Sequence, residues 1–302
     1  TQTLDGSYTV TGITLTSPTG AIIVANGTGT GNTLNIGSNG IDMSSAALNL
    51  TLSANLSIGA HQTWTVNGSR TLTGIAGSTT SIGTGTGNIN MVQSGAGTAT
   101  IVFNQNGNGN GWGGYSGNIT VNSNVKVQSQ GNAGAAFGTG SLTLAGGTIA
   151  QNNGTWTWSN NIDVTAASVV GQDSSNGLGR SLKLLGDLTS SNSSGLTFAN
   201  NTTGGTRTDN VGFVLAGANA STYTTTTISA NSRVRIGGNA TSSFSGTGIN
   251  AGTRGSLGTG DVTLSASTSE LAFTRTDAHT VGNKITGTGT VVIGGNTAEM
   301  SG

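Results

Sequence analysis

The chain has 302 residues, with 53 glycines, one proline and no cysteine, and its ten basic and ten acidic residues cancel. Charged residues make up 7%, against about 25% in ordinary globular domains. That leaves no basic footprint for nucleic acid, no acidic tail, and no disulfide or thiolate metal site.

Helix formers such as Glu, Lys and Gln are scarce, and β-branched Thr, Val and Ile are abundant. Only 43–52 (MSSAALNLTL) has a helical look, and its second half already alternates. Short runs of period two dominate instead. In chain order they fall at 8–15, 21–24, 34–36, 48–52, 56–58, 64–66, 72–75, 89–91, 101–103, 119–121 and 125–127. They continue at 142–144, 156–158, 162–164, 182–184, 196–198, 211–215, 234–236, 262–264, 271–273, 285 and 291–293. The spacers are Gly, Asn, Ser and Thr. No apolar run reaches the roughly 18 residues that a spanning helix needs. Thr1 stands where an initiator Met would be, so the chain is expected to be processed or a fragment, compatible with a removed export signal.

A strand of three residues offers two inward side chains and cannot hold a sandwich core by itself. It can do so by stacking on copies of itself, each rung about 4.8 Å above the last. The expected fold is therefore all-β: a right-handed parallel β-helix, or β-solenoid, forming a single elongated domain. At about 20 to 25 residues per rung it would hold roughly 12 to 15 rungs. An antiparallel sandwich is the alternative, but it needs short hairpin turns of constant length, and these spacers vary. One phrase marks the rungs. Gly138-Thr139-Gly140-Ser141-Leu142-Thr143-Leu144 returns as Gly258-Thr259-Gly260-Asp261-Val262-Thr263-Leu264, with looser copies starting at Gly29, Gly85 and Gly287. Without a following helix and Lys it is not a phosphate loop; it reads as a turn that feeds a strand. The order of runs divides the solenoid into divergent coils over 1–96, repeat modules over 97–207 and 208–286, and the start of a further module over 287–302.

These modules resemble the autotransporter-associated β-strand repeat of bacterial surface and secreted proteins. The matching phrases are 221–228 followed by Ala230-Asn231, and Gly255-Ser-Leu-Gly-Thr-Gly-Asp-Val-Thr-Leu264. The stretch GSNGID at 37–42, with 48–52, Gln62-Thr-Trp-Thr-Val66 and Arg70-Thr-Leu72, is similar to what precedes such a repeat. The resemblance implies a β-helix carried outside the cell, used for adhesion or surface structure, and it transfers no catalytic residue.

Candidate chemistry is sparse. A polysaccharide lyase or hydrolase on this scaffold needs acids and bases converging on one face. The best grouping is Asp163, Asp173, Asp187 and Asp209 with Arg180, Lys183 and Arg207, which also reads as solvated turn residues. The glycine-rich segment 107–114 (GNGNGWGG) lacks the Asp ligands of a calcium coil. His61 and His279 lie far apart, so no metal or cofactor is expected. A sugar could stack on Trp112, Tyr115, Trp156 or Trp158, although rings covering or filling the coils are the simpler reading. Outward Thr arrays could bind ice or another ordered surface. The pairs Thr63/Thr65, Thr155/Thr157 and Thr274/Thr276 and the run 224–227 recur too irregularly to suggest common register. Asn-x-Ser/Thr sequons occur at the level chance provides, so attached glycans are an expectation from composition only.

The leading expectation is a non-enzymatic structural or adhesive protein, extracellular or on the cell surface, stacking end to end with copies of itself or part of a longer array. A polysaccharide-active enzyme and an ice- or surface-binding module are the alternatives.

Overall fold

The computed structural model describes residues 1–17, 20–26, 31–74, 82–104, 111–130, 136–152, 156–173, 181–201, 212–238 and 252–294. Among these residues there is no helix; the named strands pair in parallel, building a β-solenoid. The chain divides into two compact units, 1–150 and 151–302.

In the first unit most coils contribute three strands, one to each face. Leu50–Ser53, Thr71–Gly74, Ala99–Asn104 and Val125–Gln130 share one face, with Leu50 beside Leu72, Leu72 beside Ile101 and Ile101 beside Val127. Asn55–Ile58, Gly83–Gly85 and Gly114–Tyr115 form the second face. The third holds Gln62–Asn67, Ile89–Ser94, Ile119–Asn122 and Leu142–Ala145. Thr33–Met43 serves two faces, pairing first with Asn55–Ile58 and then, past Gly37 and Gly40, with Gln62–Asn67. Alternation within each strand then places one rank of side chains inside and the next outside.

The inside of this unit is aromatic. Phe103 lies 4.6 Å from Trp112, 5.6 Å from Phe137 and 6.2 Å from Trp64, ring centre to ring centre, and Trp112 meets Tyr115 edge-on at 5.6 Å. All five rings are buried. Two of their polar atoms are partnered, while the Trp112 indole N–H has no partner among the described residues. The Trp64 indole donates to Gln62 Oε1 at 2.8 Å, and the Tyr115 hydroxyl donates to the Gly87 carbonyl at 2.8 Å.

In the second unit two faces carry nearly all the strands. Ser168–Gln172, Leu196–Asn200, Thr226–Ile228, Val262–Leu264 and Ile285–Gly287 make one. Trp156–Trp158, Ser181–Leu184, Gly212–Leu215, Arg233–Ile236, Glu270–Phe273 and Thr290–Ile293 make the other. Phe198 and Phe213 join them across the core, 5.2 Å apart. The third face is brief, Ile162–Ala166 beside Leu188–Thr189.

Several coils exceed the expected 20 to 25 residues. Register partners on neighbouring coils lie 22 to 30 residues apart in the first unit and 20 to 37 in the second. The excess sits in the corners, because strands of three to six residues use up little chain.

The Gly-Thr-Gly phrase is such a corner. Thr139 N–H donates to the Tyr115 carbonyl at 2.8 Å, and Thr259 N–H to the Tyr223 carbonyl at 2.7 Å. Each Thr hydroxyl reaches the same carbonyl at 3.4 Å. Both tyrosines are fully buried. Burial pushes the Tyr223 phenol up to about 12 and the Tyr115 phenol further still. A Cβ on Gly138 or Gly258 would overlap those carbonyl oxygens, so the glycines are there to let one coil lie against the last.

Candidate functional site

Outward side chains form ranks, and these ranks are the surface a partner would meet. On the third face of the first unit, His61, Asn88, Asn118 and Ser141 precede strands held in register, and each bonds the next. His61 Nδ1 accepts the Asn88 N–H, Asn88 Oδ1 accepts the Asn118 N–H, and Asn118 Oδ1 accepts the Ser141 N–H, each at 3.0 Å. Two positions on, Thr63, Asn90, Thr120 and Thr143 stand side by side. Asn122 Nδ2 donates to Asn90 Oδ1 at 2.7 Å and to the Met91 carbonyl at 2.8 Å. An open groove of about 440 Å³ runs over this face, lined by Ser38, His61, Thr63, Asn88, Asn90 and Thr120. No charged side chain lines it.

Among the described residues, the second unit carries the longest rank of a single residue type. Thr197, Thr227, Thr263 and Thr286 pair in register on four successive strands, the last two exposed. Irregular sequence spacing concealed it, because the intervening corners differ in length while the strands keep register. The expected pairs fare differently. Thr274 is buried and donates to the Ile236 carbonyl at 3.2 Å, Thr276 is exposed, and Thr155 lies outside the described residues.

The rings proposed for sugar stacking require a correction. Trp112, Tyr115 and Trp158 are fully buried, so no ring face is left for a ligand. Trp156 is half-buried at the start of its strand. Alternation alone misleads here, because the fold buries residues in its corners and on some outward strand positions as well as on the inward rank.

Of the acids expected to cluster, Asp163 and Asp187 lie on adjoining coils beside the third face, and Asp173 lies elsewhere. Asp163 lies on the brief third face, where it accepts the Ser191 N–H at 2.9 Å and the Thr189 hydroxyl at 3.4 Å. Asp187 is a corner residue linked to its neighbours. Its own N–H donates to Asn161 Oδ1 at 3.0 Å, and its carboxylate accepts the Asn219 N–H at 2.9 Å and Asn219 Nδ2 at 2.5 Å. The backbone bond from Asn219 is the main cause holding this carboxyl below the usual range. Asp173 accepts from Asn201 Nδ2 at 2.9 Å beyond the Ser168–Gln172 strand. Lys183 is fully buried on a different face, and burial lowers its pKa. Arg180, Arg207 and Asp209 lie outside the described residues, as does 107–110 of the glycine-rich segment.

Sequence reasoning did not single out the two ion pairs of the second unit. Arg233 and Glu270 are register partners with their side chains paired and buried; Arg233 Nη2 donates to Glu270 Oε2 at 2.8 Å. Arg275 grips Asp277 through two bonds of 2.8 and 2.6 Å and donates to the Gly255 carbonyl at 2.7 Å. The only signal was two arginines, Arg233 and Arg235, on a chain with few charges. His61 and His279 belong to different units, and among the described residues no three of His, Cys, Asp or Glu gather as metal ligands. Among those residues no helix is long and apolar enough to cross a membrane.

No protein-family model, curated protein or solved structure matches the chain.

Proposed function

We propose that this chain is a structural or adhesive β-solenoid displayed outside the cell, working without catalysis and assembling end to end with its own copies. The carrying observation is the periodic outside. Uncharged Thr, Asn, Ser and His ranks repeat coil after coil, as in His61–Asn88–Asn118–Ser141 and Thr197–Thr227–Thr263–Thr286. Chemistry spread evenly along a surface suits many weak contacts with another repeating surface. The quoted phrases resembling the autotransporter-associated repeat support the extracellular setting.

The assembly part rests on the Thr290–Ile293 strand. It pairs with Glu270–Phe273, and Val292 and Ile293 are 38% and 44% exposed. A parallel strand from a second copy would cover this apolar edge, and a contact of that head-to-tail kind propagates into a fibre. Electron micrographs of the purified chain should show filaments whose length grows with concentration. Val292→Lys with Ile293→Lys should leave monomers, since edge lysines block strand addition. A wild-type chain that stays monomeric at all concentrations would defeat the assembly reading.

A further inference from the structure

The groove on the first unit has a hydrogen-bonding polarity of its own. His61 Nδ1 and the side-chain oxygens of Asn88 and Asn90 are already occupied by protein donors. What these residues still offer is therefore His61 Nε2–H and the two Nδ2 amides, all exposed. The hydroxyls of Thr63 and Thr120 flank Asn90 in the same rank. The result is a row of neutral donors and hydroxyls, held by bonds between coils, repeating about every 4.8 Å. That step is close to the length of one sugar ring in a straight chain. An anion would find no charged side chain in the groove, and the apolar surface beside Ile89 and the His61 ring suits the faces of sugar rings.

We infer that this groove binds a linear, uncharged, β-linked oligosaccharide lying along the solenoid, one sugar ring to a coil. Hydroxyl and ring oxygens accept from His61, Asn88 and Asn90, and sugar hydroxyls exchange bonds with Thr63 and Thr120. The inference deepens the adhesive reading by giving it a ligand class and a place, and it rests on that reading.

The test is an amide NMR titration of the whole chain with cellohexaose and chitohexaose, and with the two disaccharides. The hexamers should shift resonances of the Gln62–Asn67, Ile89–Ser94 and Ile119–Asn122 strands. The disaccharides, spanning fewer coils, should bind about tenfold or more weakly. Thr63→Val with Asn90→Leu, both exposed, should abolish those shifts while leaving the melting temperature unchanged. Thr263→Val with Thr286→Val, on the other unit, should leave binding intact. No binding of either hexamer, or binding that survives the groove variant, overturns the inference. Filaments that bind neither hexamer would keep the fibre and remove only this ligand; monomers that bind would do the reverse.

Discussion

The two units solve the same packing problem with different chemistry. The first fills its coils with aromatic rings, Trp64, Phe103, Trp112, Tyr115 and Phe137 in mutual contact, and keeps neutral amides and hydroxyls outside. The second also buries rings, Trp158, Phe198, Phe213, Tyr223 and Phe273, with Phe198 against Phe213, and adds buried ionisable groups: Lys183, and Arg233 against Glu270. The difference lies in what each can tolerate. Dispersion and apolar burial degrade by amounts set by the volume removed. A buried ion pair is stable only while both partners are present, because either charge alone is strongly disfavoured in a dry site.

Phe103→Ala should produce the largest effect, since three rings lose their common neighbour. We expect about 4 kcal/mol of destabilisation in chemical unfolding, with hydrogen exchange accelerating first in strands of the first unit. A loss under about 1 kcal/mol would mean that the ring cluster is not what holds that unit.

Glu270→Ala should come next, at about 3 kcal/mol, because Arg233 stays buried without its carboxylate. The sharper form replaces both, Arg233→Met with Glu270→Leu, which should return most of that loss. If the double variant is as unstable as the single, the pair is held for its hydrogen bonds to surrounding groups rather than for mutual charge balance.

The smallest effect is a pH dependence near neutrality centred on His279 in the second unit. Burial first, and the nearby Arg275 second, hold His279 below its ordinary value. As pH falls through about 6.5 the unfolded chain takes up a proton that the folded one still refuses. Stability is therefore complete above that pH and declines from there to the lowered folded value. Asp277, held low by its bond from Arg275, and Asp187 add their own losses only in the acid range. Thermal unfolding at neutral pH and at pH about 5 should differ less in His279→Gln than in the wild type. An unchanged difference would place the sensitivity elsewhere.

The strands were legible because a three-residue apolar–polar–apolar run has few other uses. Leu142-Thr-Leu144, Leu182-Lys-Leu184 and Val262-Thr-Leu264 all lie in strands. Among the strands that escaped, Gly83–Gly85 has no apolar side chain, and Ser168–Gln172 sets two valines together before a glycine. The site was less legible. Neither the registered Thr rank nor the groove over His61 and Asn90 is local in sequence; both exist only once neighbouring coils are aligned. Trp112 and Tyr115, for which covering a coil is the simpler reading and sugar stacking the alternative, are buried in the core.

The corner glycines have one more consequence. Thr227 and Thr263 stand side by side although 36 residues separate their coils' corner tyrosine and threonine, while Asn283 reaches the Gly258 carbonyl across 25. Alignment is restored at each corner, so coil length is a free variable that evolution can change without disturbing what the faces display. A lineage could lengthen or trim the corners by insertion and deletion, altering every spacing a sequence comparison relies on, and leave the outer pattern intact.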